Sequence, residues 1–409
     1  MPAPIKIVIA GAGIGGLCCA LALIRRGFDV TVLEQAPQLG EVGAGFQMSA
    51  NGVRCLVDLG LGEELPQIAT EAAGKQVRLW STGQTWKLFD LGAESVEKYG
   101  FPYYLIYRAD LHALMERRVR ALQPNAIKLG AKAIGFVQDA EGVEVELENG
   151  NRVRGDILIG ADGVHSRIRG AMFGQADAQF TGCVAWRGLV PRTNLPAHLQ
   201  EKVATNWIGP GAHVIHYPLR NGELVNFVGI VERTDWQVES WTERGDTEEC
   251  LRDFSNWHED VQTLIKGIEQ PYKWALLSRE PMKNWTIGRA TLLGDAAHST
   301  LPFLAQGAVM ALEDGIVLAR CLAAHTDNLT AGLERYQALR LDRTSRIVLG
   351  SAANGARFHN PLLADPIEAG RYVDREWAEE RVRERYEWLF SYDATAVDVT
   401  NTQPAVAAG

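Results

Sequence analysis

Residues 5–35, IKIVIAGAGIGGLCCALALIRRGFDVTVLEQ, constrain the fold more tightly than any other stretch of this chain. The apolar run at 5–10 predicts a buried strand, residues 15–26 a helix and residues 29–34 a second strand, together a βαβ unit. Gly11, Gly13 and Gly16, with Gly15 between them, sit at the first strand-to-helix turn. Missing side chains there let the backbone approach a pyrophosphate at the positive end of the helix. Glu34, followed by Gln35, closes the second strand, where a carboxylate accepts hydrogen bonds from ribose hydroxyls. The unit predicts a dinucleotide site and by itself leaves NAD and FAD open.

A chain of 409 residues is too long for one simple core, so two sequential or interleaved domains are expected. Its 41 basic and 50 acidic side chains give a formal charge of −9, which argues against nucleic acid and for small-molecule ligands. Cys18, Cys19, Cys55, Cys183, Cys250 and Cys321 show no CxxC spacing, which fits reduced thiols in the cytoplasm. The uncharged run at 7–24 contains four glycines and is followed by Arg25 and Arg26, so it reads as neither a signal peptide nor a membrane span.

Downstream, residues 40–56 read as a glycine-rich loop running into a helix. Arg108 stands just before a helix that Asp110 is placed to cap, with Leu111, Leu114 and Val119 at helical spacing. Val143, Val145 and Leu147 alternate with glutamates, and Asn149-Gly150 turns the chain into a hairpin that returns through residues 157–159 to the main sheet. Short β-rich runs between about 180 and 275 predict a separate sheet, a lid. A strand, a loop and a long helix follow from 289, so the nucleotide domain is discontinuous. Residues 371–390 predict a charged helix docked by its apolar positions, followed by a loose tail after about 393.

Three motifs in order, GAGIGG with Glu34, GADGVHSRIR at 160–169 and LLGDAAHS at 292–299, resemble the single-component FAD-dependent aromatic hydroxylases. That flavoprotein family includes hydroxybenzoate, salicylate and hydroxynicotinate monooxygenases. The resemblance implies an α/β fold in which a Rossmann-like FAD-binding domain (1–75, 100–180 and 276–355) interleaves with a β-rich substrate domain (76–99 and 181–275). A C-terminal helical region follows at 356–409. It also implies that the first motif binds the ADP half of FAD and that Asp162 serves the pyrophosphate region and nicotinamide entry. Arg108 would lie near the flavin phosphates and Asp295 would bind ribityl or ribose hydroxyls. A helix beginning near Gly307, in the stretch with Ala305 and Ala308, would turn its positive end to the flavin pyrimidine ring. The resemblance further implies NADH or NADPH as a transient co-substrate and O2 as the oxidant, through a flavin C4a-hydroperoxide, in keeping with the single nucleotide motif.

Electrophilic hydroxylation needs an electron-rich ring, and a phenol losing its proton supplies one, so a base near the substrate is expected. In AHVIHYPL at 212–219, strand alternation puts His213, Ile215 and Tyr217 on one face and Val214 and His216 on the other. By resemblance His213 is the proton acceptor, Tyr217 its hydrogen-bonding companion and Gln47 a third pocket residue. His298 is expected to support the flavin loop without taking part in chemistry. Pro302 stands where relatives acting on 3-hydroxybenzoate tend to carry glutamine, which favours a salicylate-like or hydroxypyridine carboxylate. The alternatives are a 3-hydroxybenzoate 6-hydroxylase type and a flavin-binding protein without turnover. No arginine for a substrate carboxylate stands out. The expected partners are a small aromatic substrate and O2, with no nucleic acid and no membrane, the chain being a monomer or homodimer.

Overall fold

The computed structural model describes residues 4–40, 44–174, 178–235 and 243–400. The apolar run near the N-terminus forms strand Lys6–Ala10, buried from Ile7 onward in the middle of a six-stranded sheet. Asp29–Leu33 and Ile157–Gly160 flank it in parallel, and Ile127–Lys128 and Ala290–Leu292 extend the sheet on either side. Thr286–Ile287 adds an antiparallel edge. Helices Ile14–Ile24, Arg108–Leu122 and Gly307–Ala324 bury their apolar residues in the same core. A Cβ on Gly315 would lie 2.9 Å from Cys18 Sγ, so the first and third of these helices cross almost backbone to backbone. All six cysteines are unpaired.

Residues 143–155 form the expected hairpin, Val143–Leu147 against Arg152–Gly155, with Gly150 at φ +84° in the turn. Val143, Val145 and Leu147 face inward while Arg152 pairs outward with Glu144 and Glu146. Ala133–Gln138 completes this three-stranded sheet.

The β-rich stretch forms a seven-stranded sheet, in the order Tyr272–Ser278, Gln179–Pro191, Leu224–Glu232, Ala212–Leu219, Val203–Gly209, Gly74–Leu79, Thr85–Asp90. Helices Thr247–Asp253 and Glu259–Lys266 cover one face through Trp186, Trp207, Phe227 and Phe254. A small antiparallel sheet of Gly45–Met48, Tyr104–Tyr107 and Ala69–Glu71 lies between the two large ones. The stretch at 40–56 is therefore a strand followed by helix Ala50–Asp58, and its residues 41–43 lie outside the described residues.

Three local expectations are corrected. Asp110 is not a cap: the helix starts at Arg108, and the Asp110 carboxylate is taken by the Arg220 guanidinium at 2.7 and 2.8 Å. The charged helix is two helices, Pro366–Glu376 and Glu379–Phe390, parted where Trp377 turns inward onto Phe358 and Tyr372. The segment after 393 is docked: Ala394 and Val399 are buried against the first core, and Arg320 and Arg335 donate to the carbonyls of Ala394 and Asp398. Residues 401–409 lie outside the described residues. Among the described residues no helix is long and apolar enough to cross a membrane.

Candidate active site

The glycine turn divides its labour among positions. A Cβ on Gly16 would lie 2.0 Å from the Gly11 carbonyl oxygen and one on Gly11 2.3 Å from the Ala161 carbonyl oxygen. Gly15 would strike Leu293 at 2.7 Å. These three serve close packing. Gly13, the residue preceding helix Ile14–Ile24, has nothing within 4 Å where its Cβ would point. With Ile14 and Gly15 it lines a cleft of about 330 Å³, within the usual range for small-molecule sites. The open helix start, without a side-chain cap, leaves N–H groups for a phosphate. That vacancy at Gly13 fits the pyrophosphate of FAD.

Glu34 turns back on the turn itself, accepting from the backbone N–H of Ala12 at 2.9 Å and of Ala36 at 2.8 Å. Gln35 is exposed and away from the cleft. The bend in which GADGVHSRIR follows a buried strand has a local cause. Asp162 accepts from Ser166 Oγ and from the N–H groups of Arg167 and Ile168, Ser166 caps the helix Arg167–Phe173, and Arg169 donates to the carbonyls of Val164 and Ala296. The motif thus holds its own bend and ties it to the GDAAHS loop, while its backbone at Ala161 and Gly163 lines the cleft.

Arg108, at the start of its helix, and Asp295, at the start of Asp295–His298, also line the cleft, Asp295 with an exposed carboxylate. Gly294 before it needs φ +61°, and its N–H is held by Asp314. His298 is buried and bonded through Nε2 to Asp314 at 2.6 Å, below the loop and away from the cleft. Burial opposes the Asp314 charge, yet His298 and Arg340 hold its pKa down to about 2. Gly307 and Ala308 begin helix Gly307–Ala324 at the cleft wall, and Ala305, at φ +55°, sits in the left-handed region just before it.

Beyond these segments the cleft runs under the face of the seven-stranded sheet that the two helices leave uncovered. His213, Ile215 and Tyr217 line it, with Asn206, Val228 and Ile230 on neighbouring strands. His216 points to the opposite face, where burial and the nearby Arg78 push its pKa down to about 3. Burial lowers the His213 pKa well below its ordinary value and raises that of the Tyr217 phenol, so His213 is neutral and Tyr217 keeps its proton. Gln47 is buried on the cleft wall, its Oε1 accepting from Tyr103 Oη at 2.8 Å and from Lys75 Nζ at 3.5 Å. Pro302 and Phe303 also line the cleft, Phe303 packing edge-on against the His213 ring.

Lys75, Arg187 and Asn206 were missed by the sequence reading. Lys75 opens on the cleft but is shielded from bulk water, and burial brings its pKa down to about 8. Arg187 is buried and packs its guanidinium over the rings of Tyr272 and Trp274. A single arginine inside the apolar run VAWRGLV was the available clue, since a buried charge is rare without a task. Asn206 Oδ1 is buried on the cleft wall without a hydrogen-bond partner.

A cofactor cleft that opens onto a sheet face bearing a neutral histidine, a tyrosine and two cations belongs, with this fold, to an FAD-dependent aromatic-ring monooxygenase. The model of the FAD binding domain family matches residues 4–351, and the chain belongs to that family. It is 36% identical over 392 residues to 3-amino-4-hydroxybenzoate 2-monooxygenase PtnB3 of Streptomyces platensis, covering 96% of this chain and 97% of that one. It is 37% identical to 3-hydroxybenzoate 6-hydroxylase of Polaromonas naphthalenivorans, again covering 96% and 97%. A salicylate hydroxylase substrate complex superposes over 100% of both chains with a TM-score of 0.80 at 26% identity.

Proposed function

We propose that the chain hydroxylates the ring of a small aromatic carboxylate bearing a ring hydroxyl, with O2 and with NADH or NADPH as reductant. The observation that supports this reading is that a neutral histidine, His213, and two cationic side chains, Lys75 and Arg187, line one cleft under the seven-stranded sheet. FAD, when bound, supplies the activation of dioxygen. Gly13, Arg108, Asp295 and the starts of helices Ile14–Ile24 and Gly307–Ala324 would hold it.

Lys75, itself held by Gln47, orients the substrate carboxylate, while Arg187, four strands away on the same sheet, adds positive charge at the other end of the cleft. The ring hydroxyl then meets His213, which takes its proton, while Tyr217 donates a hydrogen bond to the oxyanion formed. The negative charge enriches the ring for attack by electrophilic oxygen. Phe303, Phe358 and Trp274 keep water from the reacting face. Six unpaired thiols support a cytoplasmic setting.

The test is a panel of salicylate, 6-hydroxynicotinate, 3-hydroxybenzoate and 3-amino-4-hydroxybenzoate with the FAD-loaded protein. At least one acid accelerates NADH or NADPH oxidation and yields a product heavier by one oxygen atom; a panel that yields none overturns the reading. Pro302 places no side-chain hydrogen-bonding group on its wall, which supports salicylate or 6-hydroxynicotinate over 3-hydroxybenzoate. Higher kcat/KM with 3-hydroxybenzoate than with both would reverse that preference.

A further inference from the structure

His213 does not stand alone behind the cleft. Its Nδ1 lies 2.7 Å from Nε2 of His359, and His359 Nδ1 lies 2.9 Å from Oε1 of Glu232. His213 and His359 are 3% and 7% exposed as residues, whereas the Glu232 side chain is 58% exposed. Phe303 and Phe358 pack around the His213 ring at centroid distances of 5.3 and 5.1 Å. His359 is fixed at the end of helix Leu329–Phe358, its carbonyl accepting from Gly211 N–H. A continuous chain of hydrogen bonds therefore leads from the cleft, between aromatic rings, to a carboxylate in water.

The chain also has a direction. An ionised carboxylate only accepts, so His359 donates from Nδ1 to Glu232. A neutral imidazole carries one N–H, which makes His359 Nε2 an acceptor, so His213 donates from Nδ1. His213 Nε2 is then a free lone pair, the one ring nitrogen left for a ligand in the cleft. A surface glutamate thus sets the tautomer of a buried base. Burial lowers the pKa of both histidines, which keeps them neutral as this requires.

We propose that Glu232 and His359 are positioning residues that hold His213 with Nε2 open to the cleft and form the exit for the substrate's proton. The proposal rests on His213 accepting that proton. As the substrate O–H bond breaks, an N–H bond forms at His213 Nε2. The Nδ1 proton of His213 passes to His359 Nε2, and the Nδ1 proton of His359 passes to Glu232 and on to water. The substrate is left as an oxyanion and both imidazoles as neutral opposite tautomers. A proton returning inward to the product oxyanion restores both tautomers before the next turnover. Without this exit the proton would remain on an imidazolium in a dry, apolar wall, which burial disfavours.

Two measurements on the FAD-loaded protein test the proposal. With 15N-labelled histidine and no substrate, NMR assigns the His213 tautomer, identifying its signals by their loss in His213→Ala. The expected form is Nδ1–H in the wild type, and Nε2–H overturns the proposal. The second measurement is hydroxylation of the best acid of the panel above by three variants. His359→Gln keeps an acceptor for His213 and a donor for Glu232 but cannot pass a proton. It should retain the tautomer and lose about 10²-fold in hydroxylation rate, the low end of what a lost proton transfer costs. His359→Ala should be slow and be partly rescued by added imidazole. Wild-type rate in His359→Gln, or no rescue of His359→Ala, overturns the exit. Wild-type rate in His213→Ala shows instead that the underlying reading of His213 fails.

Discussion

At Gly13 and Gly16 one atom separates two kinds of defect. Gly16→Ala drives a methyl group to 2.0 Å from a carbonyl oxygen, and such overpacking costs about 1–3 kcal/mol or more. It should lower the melting temperature of the cofactor-free protein. Gly13→Ala meets only open space in the protein, so the melting temperature should stay near wild type while FAD is lost on gel filtration. Equal melting temperatures for the two variants would refute the division of roles. The same resolution applies on strand Ala212–Leu219. His213→Ala should still bind FAD and oxidise NADH or NADPH but lose about 10² to 10⁴ in hydroxylation and release more hydrogen peroxide. His216→Ala, on the far face, should change this coupling far less, and the reverse order in a peroxide assay would contradict the assignment. That His213 and Tyr217 share a face was legible because period-two alternation is local, whereas the choice of that face as the cleft's came from the family resemblance. Lys75 and His359 were not: their proximity to the cleft arises from strand pairing and from the end of a 30-residue helix, neither of which leaves a mark in the adjacent sequence.

Elements, unlike single side chains, were read well where one periodicity ran uninterrupted. The βαβ unit, the hairpin at 143–155 and the helix from Gly307 needed only local pattern. Failures came where a partner far away decided the outcome. Arg220 takes the carboxylate that was expected to cap a helix, and Trp377 turns inward and parts what charge patterning ran together. Strand Gly74–Leu79 makes the functional case. By pairing in parallel with Val203–Gly209 it brings Lys75 beside Gln47, where burial sets the ammonium near pKa 8. Below that pH Lys75 is charged and attracts a carboxylate; as pH rises through it the charge goes. For a carboxylate substrate kcat/KM should therefore fall above about pH 8. Lys75→Met should raise KM by about 10- to 100-fold, the loss of a charge-assisted hydrogen bond, and abolish this fall. A pH profile unchanged by the substitution would exclude Lys75 from anion binding.

Across the whole molecule, helices Gly307–Ala324 and Leu329–Phe358 are joined below the GDAAHS loop by a buried ionic cluster. Arg340 bonds Glu313 and Asp314 at 2.7 Å each, Arg343 also bonds Glu313, and Asp314 holds His298 and Gly294 N–H. Arg340→Met leaves two buried carboxylates undercompensated, and breaking such a pair typically costs about 3–5 kcal/mol. Thermal unfolding of this variant should begin well below wild type; an unchanged transition would mean the cluster is incidental. The central sheet has a further bearing on how the chain is made. Strand Lys6–Ala10 is synthesised about 150 residues before its neighbour Ile157–Gly160 and longer still before Ala290–Leu292. Long-range parallel pairing of this kind is slow and leaves apolar edges uncovered while it waits. Since Phe358 lines the cleft together with residues as early as Gly13, a nascent chain cannot close the reaction chamber until synthesis has passed Phe358. A chain released short of Phe358 should therefore carry the glycine turn but leave the cleft open on that side.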